Sequence, residues 1–239
     1  MSYNSLYRVD VRGYITMKKI LFVASEGVPF IKTGGLADVV GSLPKCFNKE
    51  EYDVRVILPK YMCMKEEWKN QMNYLTHFYM DLAWRSQYVG VLEMKYEGVQ
   101  FYFIDNEYYF AGPKPYGNIY QDIEKFAFFS KAALSALPVI GFRPDIVHCH
   151  DWQTGLIPVF LKDKFHEGEF FRDMKSVITI HNLKFQGVWD MQTVKDITGL
   201  PAYYFAPDKL EAYGDANYLK GGIVYADAVT TVSDTYAEE

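Results

Sequence analysis

The stretch ILFVASEGVPFIKTGGLADVVGSL, residues 20–43, decides the fold of this chain. It begins with an apolar run, residues 20–24, that leads into Ser25–Pro29, a pattern typical of a parallel strand buried on both faces and followed by a loop. The glycine pair Gly34-Gly35 then opens a segment with apolar residues at helical spacing. A second apolar run at 54–59 completes a predicted strand, loop, helix and parallel strand, with an expected right-handed crossover.

The same alternation continues to the end of the chain. Aromatic and polar residues alternate between Met72 and Asp105, which indicates hairpin-like strands on or beside the sheet. Beyond them the patterns predict three strands, at 145–150, 176–180 and 228–232. They also predict helices at 123–137, 154–164 and 217–225, the first of them closed by Pro138, and a further helix that begins at Ser233. The predicted fold class is therefore α/β: a Rossmann-like parallel sheet with flanking helices and an added β-hairpin region.

The domain is expected to begin at Met17. Residues 1–16 show neither a helical nor a strand period, whereas a second methionine, at position 17, directly precedes the first predicted strand. We therefore interpret residues 1–16 as an extension, either native or left over from cloning, and residues 17–239 as one domain.

Composition argues against several classes of protein. Three cysteines, Cys46, Cys63 and Cys149, form no C-x-x-C pair and no even framework, which favours a reducing compartment. The sequence has no run of about 18 apolar residues and no signal-peptide core, so we expect a cytoplasmic protein without a membrane partner. A formal net charge of −5 argues against nucleic acid as a partner, because binding a phosphate backbone requires clustered lysine and arginine.

Polar residues and glycines collect where predicted strands end. Lys32 to Gly35 lie in the loop after the first strand, and Asp151-Trp152 and His181-Asn182 directly follow two later strands. Open parallel sheets bind ligands outside the carboxyl ends of their strands, where the strand order switches. These residues are therefore predicted to share one rim and to form a ligand site there.

Each of these rim residues also has an ordinary structural explanation. A glycine pair at a helix start exposes backbone N–H groups that favour a phosphate, and Lys32 would add a positive charge, but such a pair is more often only a tight turn. Asp151 is suited to binding sugar hydroxyls or to capping the helix that follows it. His181 is placed for chemistry, although a single histidine is usually structural.

A metal site is not expected. His148 and His150 share one face of a strand, but catalytic zinc normally takes three protein ligands and no completing cluster accompanies this pair. We therefore expect His148 to pack into the core. The amide of Asn182 is suited to hydroxyl recognition.

Five stretches together resemble a known enzyme family and keep its order and spacing: KTGGLADV at 32–39, HDW at 150–152, HNLKFQG at 181–187, LKGGI at 219–223 and ADAVTTVS at 226–233. By these residues the chain, from Met17 to its end, is similar to the bacterial glycogen synthases and plant starch synthases of glycosyltransferase family five. The resemblance implies a GT-B enzyme, in which two Rossmann-like domains face each other across a cleft. Such an enzyme transfers glucose from ADP-glucose to the non-reducing end of an α-1,4-glucan (glycogen or starch) with retention. The resemblance implies neither a metal nor a cofactor.

The resemblance also implies roles for individual residues. Asp151 and His181 match residues that line the glucosyl site and are the expected catalytic residues. The expected donor-binding residues are Lys32, Gly34, Gly35 and Asn182, with Asp38, Trp152 and Gln186 as further candidates.

The chain departs from this family at its C-terminal end. The family's second domain holds an arginine and a lysine that grip the diphosphate, a glutamate near the sugar and the nucleoside pocket, and all of these would lie beyond Glu239. The chain is therefore expected to be the N-terminal, acceptor-side domain without the C-terminal nucleotide-binding domain, and nearly inert alone. Two alternatives stay open: a related transferase that uses another nucleotide sugar such as UDP-glucose, and a non-catalytic glucan-binding or assembly module.

Overall fold

The computed structural model of the chain describes residues 17–238 and, by their backbone alone, Arg8–Val9 and Ile15–Thr16. The two earlier pieces form short antiparallel strands, β1 (Arg8–Val9) and β2 (Ile15–Thr16). The rest of segment 1–16 lies outside the described residues, and so does the interpretation of that segment as an extension.

Strands and helices alternate along the described chain. The further strands are β3 Lys18–Val23, β4 Tyr52–Pro59, β5 Asn73–Leu82, β6 Arg85–Tyr96, β7 Val99–Asp105, β8 Ile146–His150, β9 Lys175–Ile180, β10 Val188–Asp190, β11 Glu211–Ala212, β12 Asp215–Asn217 and β13 Ala228–Thr231. The α-helices are α1 Gly35–Cys46, α2 Glu66–Lys69, α3 Glu107–Phe110, α4 Ile119–Val139, α5 Leu156–Lys162, α6 Met191–Thr198, α7 Tyr218–Tyr225 and α8 Asp234–Glu238. Short 3-10 helices lie at Trp152–Thr154, Phe165–Glu167 and Ala202–Phe205. Within the described residues, no helix is both long enough and apolar enough to cross a membrane.

The main sheet confirms the predicted fold class. Its strand order is β13-β9-β8-β3-β4-β7-β6-β5. The neighbours from β13 to β7 all pair in parallel, whereas β6 and β5 add antiparallel pairs at one edge. In the central strand β3, Leu21, Phe22 and Val23 are fully buried, as expected of a parallel strand that is covered on both faces.

The added β-hairpin region is also confirmed. Strands β6 and β7 pair up to Tyr96 and Val99, which leaves Glu97-Gly98 as a two-residue turn. Both turn residues have positive φ, 46° and 81°, as a type I′ turn requires, and such turns match the twist of the flanking strands. The hairpin strands extend the parallel sheet and do not form a separate layer.

The strand order switches beside β3. The chain passes from β3 through α1 to β4 on one side, and it later crosses through α4 to β8 on the other side of β3. Connections that diverge in this way leave a crevice at the carboxyl ends of the two strands. Because β3, β8, β9 and β13 are parallel neighbours, the residues that follow them meet at this crevice.

Two predicted helices have different bounds in the structure. Helix α4 begins at Ile119, after Asn118 Oδ1 accepts the Gln121 N–H at 3.0 Å, and it continues through Pro138 to Val139. Pro138 stands in the last turn, so the backbone hydrogen bond it removes interrupts no later turn. The helix predicted at 154–164 is a 3-10 turn followed by α5, because the Thr154 hydroxyl bonds the backbone of His150 and tightens the chain directly after β8.

The sequence patterns missed a small antiparallel sheet, of strand order β10-β12-β11, and helix α6. Each strand of this sheet has only two or three residues, which is too short to show a period.

We expect Gly155→Ala to destabilise the fold. A methyl group at Gly155 would lie 2.3 Å from the carbonyl oxygen of Tyr218, which belongs to the backbone of α7. Overpacking costs about 1–3 kcal/mol, so the thermal midpoint measured by circular dichroism should fall by several degrees. Gly168→Ala is the control, because its methyl group would meet nothing closer than 3.4 Å among the described residues. Equal midpoints for the two variants would contradict the close approach of these backbones.

Candidate active site

A cleft of about 750 Å³ opens at the carboxyl ends of the parallel strands. Residues after β3, β8, β9 and β13 line it, together with the start of α1 and the chain at the start of α4. The lining residues are Glu26, Thr33, Gly34, Gly35, Leu36, Val39, Tyr116, Gly117, Ile119, Asp122, Asp151, Trp152, Gln153, His181, Asn182, Phe185 and Val232. The cleft lies at the switch in strand order, so the structure brings the predicted rim residues together there, with the exception of Lys32.

Asp151 holds the loop that follows β9. Its Oδ1 accepts the backbone N–H of His181 at 2.7 Å and that of Asn182 at 3.1 Å. No side-chain hydrogen bond caps the 3-10 helix that begins after it, so the helix-capping explanation of Asp151 is wrong. The physical reason is the backbone of Asp151, whose φ of 57° and ψ of −172° differ from the extended geometry of an ordinary N-cap. The carboxylate therefore points across to the neighbouring strand end.

The Asp151 carboxyl is buried at the wall of the cleft. Burial raises the pKa of this carboxyl to about 6, while the N–H groups of His181 and Asn182 act against that rise. Near pH 7 the group is mainly ionised, and it offers acceptor oxygens without a proton.

His181 stands directly after β9, half-buried in the wall of the cleft. Burial lowers the pKa of its imidazole to about 4, so the ring is neutral near pH 7. Its Nε2 lies 3.0 Å from Nδ1 of His150, at the end of β8. A neutral imidazole at a strand end is suited to hydrogen bonding with a substrate hydroxyl.

His148 is only partly buried, so its expected packing into the core holds in part. Its Nε2 lies 2.6 Å from the hydroxyl of Thr179, and burial lowers the pKa of its imidazole to about 4. Among the described residues, no group of three or more histidine, cysteine, aspartate or glutamate side chains is placed to hold a metal ion.

Gly34 is the N-cap residue of α1, and Gly35 is the first residue of the helix. A Cβ atom added at Gly34 would meet only Glu26 Oε1, at 3.9 Å, and one added at Gly35 would meet no described atom within 4 Å. Neither glycine has a positive φ. Backbone geometry and packing within the described chain therefore do not require glycine here, which argues against the simple tight-turn explanation. Because neither residue has a side chain, the backbone of the pair is directly exposed to the cleft.

Glu26 is a site residue that the sequence patterns did not single out. Its buried carboxylate accepts the Thr33 N–H, the Thr33 hydroxyl at 3.0 Å and the Gly34 N–H at 3.4 Å. The hydroxyl of Tyr116 also reaches it, at 3.2 Å. The sequence did carry one signal for this residue, because Glu26 is a carboxylate that follows a buried strand. Its partner Tyr116 lies 90 positions further along the chain, however, and no sequence pattern links the two residues.

Four other predicted residues are placed as follows. Trp152 is buried, lines the cleft and packs edge-on against Phe126 at 5.2 Å. Lys32 and Asp38 are not among the cleft-lining residues; the Lys32 ammonium donates to both Asp38 oxygens at 2.7 Å on the surface beside the loop. Gln186 lines a neighbouring cavity of about 800 Å³, where it accepts the side-chain N–H of Asn217 at 2.6 Å.

The chain resembles known proteins in both sequence and fold. Residues 19–239 match the family described as the starch synthase catalytic domain. The glycogen synthases of Lachnoclostridium phytofermentans and Lachnospira eligens are each 72% identical to this chain over 223 residues, which is 93% of this chain and 47% of theirs. The catalytic domain of starch synthase IV from Arabidopsis thaliana, bound to ADP and acarbose, superposes with a TM-score of 0.85 at 30% identity, covering 94% of this chain and 46% of that one. The chain thus spans about half the length of the curated relatives it matches.

The buried Asp151 carboxyl should make stability depend on pH. Because its folded-state pKa of about 6 lies above the ordinary value of 3.8, its contribution to stability is fully present below pH 3.8 and is lost as the pH rises through about 6. Relative to wild type, the free energy of unfolding of Asp151→Asn should therefore rise by about 2 kcal/mol between pH values of about 4.5 and 7.5. Urea unfolding of both proteins at both pH values measures this change. A difference that stays constant with pH would show that the carboxyl titrates normally.

Proposed function

The chain belongs to the starch synthase catalytic domain family, and we propose that it is the N-terminal, acceptor-side half of a retaining glucosyltransferase. The proposed reaction transfers glucose from ADP-glucose to the non-reducing end of an α-1,4-glucan, in the cytoplasm. The identity to bacterial glycogen synthases and the likeness to a starch synthase bound to ADP and acarbose support this reaction.

The observation that carries the proposal is the composition of the cleft at the strand switch. It combines an ionised carboxylate at Asp151, a neutral imidazole at His181 and the amide of Asn182, which together offer donors and acceptors to sugar hydroxyls. Trp152 and Phe185 add apolar surface beside these polar groups. Sugar rings need both kinds of contact, so we assign the glucosyl group to this part of the cleft.

We propose that the donor diphosphate binds against the exposed backbone of the glycine pair, Gly34-Gly35. Helix α1 has 12 residues, and the N–H groups of its first turn have no partner within the helix. Glu26 already accepts the N–H groups of Thr33 and Gly34, so the groups left for a phosphate are those that follow Gly34. Lys32 would join them only after leaving Asp38.

We propose that the other half of the cleft comes from a second domain. That domain would supply the positive charges that grip the diphosphate and the pocket for the nucleoside. It would also close over this domain and exclude water during transfer. The nucleotide preference then depends on residues outside this sequence.

An incorporation assay tests this proposal. Radiolabelled glucose should pass from ADP-glucose to glycogen in an enzyme of the relatives' full length that contains this chain, whereas the 239-residue chain alone should transfer none. His181→Ala in the longer enzyme should reduce turnover by about 100-fold or more while its thermal midpoint changes little. Transfer from UDP-glucose alone would favour the alternative transferase, and glycogen binding without any transfer would favour the non-catalytic module.

A side chain at Gly35 should block the donor without unfolding the domain. The position has free space and an ordinary φ, so Gly35→Leu is expected to fold with an unchanged thermal midpoint. In the longer enzyme the leucine would project toward the cleft and raise the KM for ADP-glucose by about 10-fold or more, a cost typical of steric conflict. Gly168→Leu, outside the cleft, is the matched control. An unchanged KM in Gly35→Leu would place the donor elsewhere.

A further inference from the structure

A buried histidine lies directly beneath the proposed glucosyl site. His150 ends β8, is fully buried and places its Nδ1 3.0 Å from Nε2 of His181. Its ring stacks on Phe22 with a centroid distance of 5.4 Å and lies 4.3 Å from the ring of His148. Its other nitrogen, Nε2, is buried and has no hydrogen-bond partner among the described residues. Nothing in the proposed substrate contacts uses this residue.

Both rings of the pair are neutral near pH 7. Burial lowers the pKa of each imidazole, and the neighbouring His148 ring lowers the pKa of His150 further. Each ring therefore carries one hydrogen, on either Nδ1 or Nε2. Only two of the possible combinations place a single hydrogen between the facing nitrogens, and only these form a hydrogen bond.

The two combinations differ in what they leave unpaired. If His181 donates from Nε2, the hydrogen of His150 must sit on its own Nε2, where it is a buried donor without an acceptor. If His150 donates from Nδ1, its Nε2 leaves only a lone pair unpaired. Buried N–H groups without a partner are rarer in proteins than under-satisfied acceptors, so the second combination is favoured.

His148 does not change this assignment. Its Nε2 lies 2.6 Å from the Thr179 hydroxyl, which in turn lies 2.7 Å from the hydroxyl of Thr230. These contacts run across the sheet to β13 and do not involve Nε2 of His150. The carboxylate of Asp151, the next residue, uses its Oδ1 for backbone N–H groups after β9. No described group thus offers an acceptor to Nε2 of His150.

We propose that His150 is a positioning residue: by donating its Nδ1–H to His181 Nε2, it holds His181 as the tautomer with hydrogen on Nδ1. His181 then offers a hydrogen-bond donor to the cleft and not an acceptor. Its Nδ1 has no partner among the described residues, and the residue lines the cleft. This role in catalysis rests on the proposed function, whereas the tautomer itself does not.

The fixed donor limits how a sugar can bind. A hydroxyl that meets His181 must accept with its oxygen, and its own hydrogen is then directed to another acceptor. Asp151 is an acceptor in the same cleft. A fixed tautomer thus sets the direction of the hydrogen bonds around the sugar, and a freely exchanging imidazole would also populate the opposite direction.

Nitrogen NMR on the chain itself tests the tautomer. Long-range proton–nitrogen spectra of uniformly labelled protein near pH 7 distinguish protonated from bare ring nitrogens in each of the five histidines, and the signals missing from His181→Gln identify residue 181. We expect a protonated Nδ1 and a bare Nε2 at His181. A protonated Nε2 in the wild-type chain would overturn the proposal, and this measurement needs no variant of His150.

Two matched variants test the cause. His150→Phe keeps an aromatic ring against Phe22 but has no donor, so His181 should shift toward the Nε2–H tautomer; a retained Nδ1–H would overturn the role of His150. His148→Phe removes a histidine from the same strand and should leave the His181 signals in place.

Kinetics of the longer enzyme test the consequence. His150→Phe should lower kcat by roughly 10-fold or more, as losses of supporting hydrogen bonds at active sites do, while His148→Phe should lower it less. An unchanged kcat in His150→Phe, with its tautomer shifted, would overturn the catalytic consequence. If the wild-type longer enzyme transfers no glucose, the proposed function fails, and the NMR result alone decides the tautomer.

Discussion

The burial of the parallel strands on both faces is the constraint on which the rest of the structure depends. A strand covered on both sides favours apolar side chains at every position, and β3 meets this demand with Leu21, Phe22 and Val23, all fully buried. Polar and charged side chains are therefore found mainly at the strand ends. Because β3, β8, β9 and β13 pair in parallel register, their carboxyl ends lie side by side, and residues far apart in sequence form one cleft.

Strand β8 departs from this rule where it meets the cleft. It carries the partly buried His148 and the fully buried His150, and it is followed by Asp151 with a positive φ of 57°. Backbone of this kind costs about 1–3 kcal/mol and persists only where the surroundings hold it. Here the N–H of Asp151 donates to Thr179 O at 2.9 Å and its carboxylate accepts two N–H groups from the next loop. Strain and buried polar groups thus coincide at the site to which we assign the glucosyl group.

How much could be predicted from the sequence depended on whether a pattern was local. The main strands were predicted because burial on both faces produces unbroken apolar runs, whereas the strands of the β10-β12-β11 sheet are too short to carry a period. The position of the ligand site was also predicted from a local pattern, because polar residues directly follow the predicted strands. The hydrogen bonds at that site were not predicted. Those from the loop after β9 to Asp151, or from Tyr116 to Glu26, join residues about 30 and 90 positions apart and leave no periodic trace.

The charges of the cleft bear on the proposed second domain. Its described lining includes the carboxylates of Glu26, Asp122 and Asp151 and contains neither lysine nor arginine, and its one histidine is neutral near pH 7. Of the three carboxylates, only that of Asp122 is paired with a lysine of the described chain, because the buried Lys125 ammonium donates to it at 2.6 Å. Such a surface repels a diphosphate, apart from the N–H groups at the start of α1. It is suited to neutral sugar hydroxyls, and negative groups beside the sugar would stabilise the positive charge that develops at the glucosyl carbon when the leaving diphosphate departs. Under the proposed function, the positive groups that the diphosphate requires would face this surface from across the cleft. This distribution of charge supports the proposed arrangement, in which the present domain holds the sugar and offers the N–H groups at the start of α1 to the diphosphate, while a second domain supplies the positive charges that grip it.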